Sequence, residues 1–356
     1  MGKRINGLKY WYENNERKIS VSSLVVGFII DSLTLQGIDN FYDNLWITSN
    51  LVIAGFCIIL LSRRGEKDEE GFWIPNILQF SFGALLGSIF VFYLRATTIA
   101  VTWPFLALLL FALLANEFFQ KRYARLAFQI SFWYFSCFSF SIFLVPLAVG
   151  KIGPSVFVLS GGASLIAIWF FLKLLNRFAK EKLLESRTHI WSFIITIFLL
   201  VNGLYFTNLI PPIPLSLQEA GVYHSLEKNA AGNYAVSEEV RGVEKYFTLR
   251  PLIHWRPGDP LYVYTAIYSP GALSSADIEH DWQYEDASGE WVTATRIPLK
   301  LVGGRSGGFR TYSSKFNFTP GNWRVDVKTM SGQIIGRVNF KIVESASMPP
   351  LMTSIK

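Results

Sequence analysis

The segment from Thr188 to Pro214, THIWSFIITIFLLVNGLYFTNLIPPIP, constrains the fold of this chain more than any other. Its apolar run, Ile190–Phe206, comes close to the roughly 20 helical residues that cross a bilayer core. Pro211 and Pro212 then stop a helix: each lacks a backbone donor and disfavours the α conformation in the residue before it. Long apolar runs crowd the sequence before Phe206, and none follows it. The sequence therefore predicts a membrane part, residues 1–207, followed by a water-soluble part.

Seven apolar segments can be read: Ile19–Ile38, Leu45–Leu61, Trp73–Leu94, Thr97–Ala115, Ala127–Val149, Pro154–Leu175 and Ile190–Phe206. Several contain Ser, Gly or Pro, which membrane helices tolerate. Of the Lys and Arg residues flanking them, sixteen fall in one set of alternate loops and only Arg95 and Lys151 in the other. Such residues concentrate on the cytoplasmic side. The expectation is a cytoplasmic N-terminus, seven crossings and residues 208–356 outside the cytoplasm. Met1 to Arg17 is polar, aromatic and basic, without the apolar core of a cleavable signal.

The net charge of +7 would suggest a nucleic-acid partner if it were spread evenly. It is not. Residues 208–356 hold fifteen Lys/Arg against fourteen Asp/Glu, and the excess sits on the membrane part. That is the signature of topology, and it argues against nucleic-acid binding. Cys57 and Cys137 both fall inside apolar segments, where they read as small packing residues; they offer the soluble part no disulfide. Gly83 and Gly87 form a GxxxG, and Gly161, Gly162 and Ser164 a second small patch, both suited to close packing within the bundle.

After a juxtamembrane stretch, 208–245, the apolar period changes to two. Trp323, Val325 and Val327 alternate with Arg324, Asp326 and Lys328; Val338, Phe340 and Ile342 alternate with Arg337, Asn339 and Lys341. Each pattern is a strand with one dry face. Strands are expected at Leu252–Trp255, Leu261–Tyr268, Ile278–Glu285, Trp291–Val302, Phe309–Phe318, Trp323–Thr329 and Ile334–Val343. Turn signals lie between them, Ser331-Gly332 and Ser288-Gly289 among them. Seven short strands in about a hundred residues predict an all-β sandwich over 246–345, with a tail at 346–356.

IEHDWQYEDASGEWVTATRIPLKLVGGRSGGFRTYSSK, followed by PGNWRVDVKTMSGQIIGRVNF, resembles the bacterial domain-of-unknown-function 2914 family, over about Tyr246 to Glu344. GFIIDSLTLQGIDNFYDN and PPIPLSLQEAGVYHSLE look like the multi-pass subgroup that carries this domain at its C-terminus. The resemblance implies a fold and a layout. It supplies no catalytic residues.

Three places could carry chemistry. In the first apolar segment Ser20, Ser23, Gly27, Asp31 and Thr34 share one helical stripe. An intramembrane acid is a candidate site by default. It competes with a structural role in which Asp31 bonds to neighbouring helices or meets Arg95. Asp39 and Asp43 suit turn and cap positions before the second helix. In the soluble part, Gly303-Gly304-Arg305-Ser306-Gly307-Gly308 is a glycine-rich loop around an arginine, without the Gly-Lys-Ser/Thr of a phosphate loop. Arg305 and Arg310, with Gly304 and Gly307, form a candidate ligand-binding face for a carboxylate, phosphate or sugar, which Tyr312, Ser314 and Lys315 extend. The competing structural reading is a bend between strands, with Arg310 paired to Asp281 or Glu285. Third, His280, Trp282 and Tyr284 share one strand face, read as core, and His254 and His280 lack a third ligand for zinc. No catalytic set, cofactor motif or metal site can be assembled from spacing.

The expected function is that of an integral protein of the bacterial inner membrane. Its periplasmic β domain binds an envelope glycan or a protein partner. The alternatives are an ion-coupled transporter using Asp31 and a membrane enzyme acting on an envelope lipid or polymer.

Overall fold

The computed structural model describes residues 26–37, 39–63, 73–96, 99–118, 126–230, 232–240, 250–270, 277–301 and 308–356. The chain divides into two compact units, one built of helices up to Ile210 and one built mainly of the residues after it.

In the helical unit, residues 26–34 form the described part of α1. It is followed by α2 (Phe41–Arg63), α3 (Trp73–Ala96), α4 (Ile99–Phe118), α5 (Leu126–Val149), α6 (Pro154–Phe178), the short α7 (Lys180–Glu185) and α8 (Arg187–Phe206). Five of these, α2, α3, α5, α6 and α8, are long and apolar enough to cross a membrane, and α4 has a shorter apolar stretch, Thr102–Asn116. The helices are apolar on all sides. Phe80, Phe111, Ile166 and Leu199 stand exposed, while Tyr93, Phe105, Phe138 and Phe143 are fully buried. Exposed apolar surface on this scale suits a protein solvated by lipid.

The helices pack through rings and small residues. Tyr93 of α3 lies 4.7 Å from Phe105 of α4 and 4.5 Å from Phe143 of α5, centroid to centroid. Trp133 of α5 stacks on Phe171 of α6 at 4.4 Å, over Gly55, where a Cβ would come within 3.2 Å of the indole. The two GxxxG glycines serve internal neighbours: a Cβ on Gly83 would face the Asn116 amide, and one on Gly87 would meet the Asp31 carboxylate. Cys57 and Cys137 are free and buried.

The second unit contains eleven strands among the described residues. They are β1 (Ser216–Tyr223), β2 (Ser225–Lys228), β3 (Tyr234–Glu239), β4 (Leu252–Trp255), β5 (Leu261–Tyr268), β6 (Asp277–Glu285), β7 (Trp291–Lys300), β8 (Phe309–Lys315), β9 (Gly321–Thr329), β10 (Ile334–Glu344) and β11 (Leu351–Ile355). All seven expected strands are present, with ends moved by three residues at most. The stretch 208–245 adds β1 to β3, and the tail 346–356 adds β11. None of those four segments has strict alternation over a long span, so period alone did not reveal them.

They form three sheets, in the orders β1-β5-β8, β4-β10-β9-β6-β7 and β11-β3-β2. All pairs are antiparallel except β4 with β10. Ile253, Trp255, Trp282, Trp323, Val325, Phe340 and Ile342 of the five-stranded sheet pack in one cluster with Leu261 and Val263 of β5. The expected inward set Trp323, Val325, Val327, Phe340 and Ile342 is buried, and Val338 packs partly buried against it. A second cluster joins Tyr223, Tyr264 and Ala266 to Leu226, Tyr234 and Val236 of the smallest sheet. Gly332 (φ 84°) and Gly289 (φ 83°) close the β9–β10 and β6–β7 hairpins in a left-handed conformation that glycine adopts without strain.

Candidate functional site

Strand alternation determines what surrounds Arg310. On β8, Phe309, Thr311 and Ser313 point inward and are buried, so Arg310, Tyr312 and Ser314 point to the other face. The β5–β8 register sets Arg310 opposite Ala266, Tyr312 opposite Tyr264 and Ser314 opposite Tyr262. The β1–β5 register adds Tyr223 beside Tyr262 and Gly221 beside Tyr264. Gly221 is needed there: a Cβ would fall 2.5 Å from the Tyr223 hydroxyl. Tyr234 of β3 closes the group, 5.7 Å from both Tyr264 and Tyr312.

Five tyrosines thus line one face, and the Arg310 charge acts on two of them, Tyr234 and Tyr264. Tyr223, Tyr234 and Tyr264 are buried, whereas Tyr312 is 40% exposed at the margin, and Tyr262 and Arg310 are half-buried. Arg310 Nη1 donates to Asn233 Oδ1 at 3.3 Å. Among the described residues no carboxylate lies within ion-pair reach of it. Lys228 sits over the Tyr234 ring at 5.8 Å. The buried Tyr264 hydroxyl has no hydrogen-bond partner among the described residues. Burial pushes it up to about 12, partly opposed by the Arg310 charge, so it stays a neutral donor. The exposed Tyr312 ring, the half-buried Tyr262 and Arg310 and the Asn233 amide can together hold a sugar ring and an attached acidic group.

The loop residues Arg305, Gly304 and Gly307 lie outside the described residues. Gly308 ends that loop at φ 89°, and a Cβ there would come within 2.8 Å of the Ile267 carbonyl, so no larger residue fits. The pairing of Arg310 with Asp281 or Glu285 does not occur. Asp281 accepts from Lys328 at 2.5 Å and Glu285 from Asn322 at 2.6 Å, both in the five-stranded sheet. Lys315 leaves the face and lies over the Phe318 and Trp323 rings.

The three histidines of the β region are engaged. His280 is buried between Thr265 Oγ1 (3.1 Å) and Ser313 Oγ (2.8 Å), and burial pushes its ring down to about 3. His254 Nδ1 and His224 Nε2 each lie 3.0 Å from an oxygen of Glu239, which also accepts the His254 backbone N–H at 2.7 Å. Burial acts to raise Glu239, but these donors outweigh it and hold the carboxyl down at about 2. Among the described residues no three His, Cys, Asp or Glu side chains are placed to hold a metal.

In the helical unit, Asp31 reaches α3 at Gly87, while Thr34 is exposed and bonds back to Ile30 O at 2.8 Å. Arg95 does not pair with Asp31. Its Nη1 donates to Leu35 O at 2.7 Å and its Nη2 to Ser32 O, binding the carbonyls freed where α1 ends. Asn40, which sequence reasoning passed over, caps α2 by accepting from Tyr42 N and Asp43 N. Asp43 instead accepts from Gln36 N and Gly37 N and closes the turn.

Residues 275–342 match the model of a family described as protein of unknown function (DUF2914). A comparison with curated proteins finds no match. Among solved structures, the Pseudomonas fluorescens alkylpurine DNA glycosylase AlkC, bound to DNA containing an abasic site analog, aligns at 10% identity. That alignment spans 86% of this chain and 100% of that one, with a TM-score of 0.22, too low to carry an argument.

Proposed function

We propose that this is a multi-pass protein of the bacterial inner membrane whose β region, a two-sheet sandwich extended by a third small sheet, binds an envelope glycan or protein partner. Seven crossings with a cytoplasmic N-terminus put that region in the periplasm; the asymmetry of Lys and Arg between alternate loops supports this arrangement. The observation that carries the binding reading is Arg310, on the tyrosine-lined face beside Tyr234 and Tyr264 and without a carboxylate partner among the described residues. Its chemistry favours an acidic sugar: the exposed Tyr312 ring stacks on the pyranose and the guanidinium takes the acid.

The test uses the full chain in lipid nanodiscs, titrated with fragments of acidic and neutral envelope polysaccharides. The acidic fragments bind the wild type, and Arg310→Ala and Tyr312→Ala each weaken them about tenfold or more with the fold intact. Equal binding by wild type and both variants removes this face. Capture of a protein instead of a sugar, still sensitive to Arg310→Ala, assigns the face to a protein partner.

A second reading, ion-coupled transport, is favoured by the seating of Asp31 against Gly87 inside the helical unit.

A further inference from the structure

Asp31 lies one turn before the end of α1, packed on α3 through Phe28 and Phe90, whose rings are 5.8 Å apart. Its Oδ2 comes within 2.9 Å of where a Cβ on Gly87 would be, so only a glycine admits the carboxyl at that level. Ser88, fully buried, follows Gly87, and its hydroxyl has no hydrogen-bond partner among the described residues. Gly87 precedes the end of α3 by nine residues, or roughly 13 Å of helix, which is well inside a bilayer core.

A carboxylate at that depth needs a counter-charge or a proton. The described charged groups around it are committed elsewhere. Arg95 of α3 is bound to the Ser32 and Leu35 carbonyls, and Asp43, beside the start of α2, holds Gln36 N and Gly37 N. Tyr93 of α3 gives its hydroxyl to Ser139 O at 3.3 Å. A metal cation would want several oxygen ligands around it, and a single serine hydroxyl does not make such a shell. A proton needs only one carboxylate oxygen.

The bundle also buries other polar groups. Ser81 Oγ on α3, Asn116 Oδ1 on α4, and Ser136 Oγ and Ser139 Oγ on α5 are all buried without a hydrogen-bond partner among the described residues. Phe82 against Phe132 and Tyr93 against Phe143 put α3 and α5 in parallel at an offset of fifty residues. Ser136 and Ser139 therefore stand level with Leu86 and Ile89, beside the Asp31 level. The Asn116 amide, bonded to Gln79 O, marks the other end of the row, at the level of Ser81. Unpartnered polar atoms are costly in an apolar bundle and mark places that exchange partners.

We propose that Asp31 is a reversible proton-binding site of the helical unit, held against Gly87 beside the unpartnered Ser88 hydroxyl. The step is an exchange with water: the Asp31 carboxylate takes a proton to become a neutral acid and returns it as a carboxylate. The proposal names the ion of the transport reading and rests on that reading's membrane placement, yet it stands or falls separately from transport.

The experiment uses full-length protein in phosphatidylcholine/phosphatidylglycerol vesicles, first shown to resist carbonate extraction, which checks the membrane placement itself. Infrared difference spectra are then recorded across pH with and without sodium, and proton uptake under an imposed potential is followed with an internal pH dye. The expected result is a protonated-carboxyl band that titrates in the wild type, is absent from Asp31→Asn and moves in Gly87→Ala, whose methyl displaces the carboxyl. Asp31→Glu, which keeps the acid, retains a titrating band at a shifted pH. A spectrum unchanged by Asp31→Asn at every pH overturns the proposal, as does a band that sodium abolishes at constant pH. Titration of the band without dye-detected flux keeps the proton site and rejects transport.

Discussion

Asp281 and Asp326 face each other directly across the β6–β9 pair, and both are buried. Like charges opposite one another would push the strands apart. The outer face of the five-stranded sheet supplies the answer. Lys328 bridges both carboxylates, at 2.5 and 3.7 Å, and Arg337 forks onto Asp326 at 2.5 and 2.9 Å. Burial acts to raise Asp281, but the Lys328 ammonium and the Gln283 amide outweigh it and hold the carboxyl below its ordinary range.

Lys328→Ala should therefore cost on the order of 3 kcal/mol or more, since it strands a buried charge opposite another. Adding Asp281→Asn to that variant should recover part of the loss. Hydrogen exchange of the β6 and β9 amides measures both. Equal exchange in wild type and Lys328→Ala would show that Arg337 and Arg296 suffice alone.

The buried His280 makes the β region acid-sensitive. Its ring is held down at about 3, against about 6.5 when exposed, so the unfolded chain takes up a proton that the folded one refuses. Its stabilisation is complete above pH 6.5 and is lost as the pH falls toward 3, by up to about 1.4 kcal/mol per pH unit. Glu239, held at about 2, adds loss in the same direction below its ordinary 4.5. His280→Gln should flatten the slope of denaturant midpoint against pH between 6 and 4. An unchanged slope would mean that the ring is reached by water.

Tyr264→Phe separates packing from recognition. The hydroxyl is buried and unpartnered among the described residues, so its removal should leave stability unchanged or raise it by about 1 kcal/mol. Ligand binding at the Arg310 face should be unchanged, because a hydroxyl without accessible surface cannot reach a ligand. A marked loss of stability would reveal a partner for that hydroxyl in the folded chain.

Trp323 stands in the main β cluster, 3% exposed, with its indole N–H donated to Thr319 O at 2.8 Å. Trp323→Ala should cost roughly 3–5 kcal/mol. Unfolding by urea, followed through hydrogen exchange of β10, measures this, and a loss under about 1 kcal/mol would contradict the packing.

For the proposed topology, a reporter active only outside the cytoplasm should work when fused after Lys356 and fail when fused after Lys182. The opposite pair of results would invert the orientation and reject the proposed topology.

Local sequence was sufficient wherever the determining property is itself local. Apolar length marked the helices, period-two alternation marked seven strands to within three residues, and Gly289 and Gly332 marked their turns, because hydrophobic period and left-handed backbone are written in consecutive residues. The glycine pair at 83 and 87 also read correctly as a packing signal, although not for which neighbours. What only the folded chain decided is which distant residues meet. Arg310 finds Asn233 and the tyrosines of β3 and β5 because the β1-β5-β8 sheet meets the β11-β3-β2 sheet there. Glu239 holds two histidines because β3 ends beside β4. Arg95 turns to the carbonyls of α1 and leaves Asp31 to Gly87 and Ser88. Strands β1 to β3 and β11 exist because partners pair with them, not because their own pattern demands it. Strand register and helix packing depend on contacts between segments far apart in sequence, and those contacts decide which buried polar groups of the two candidate sites find a partner.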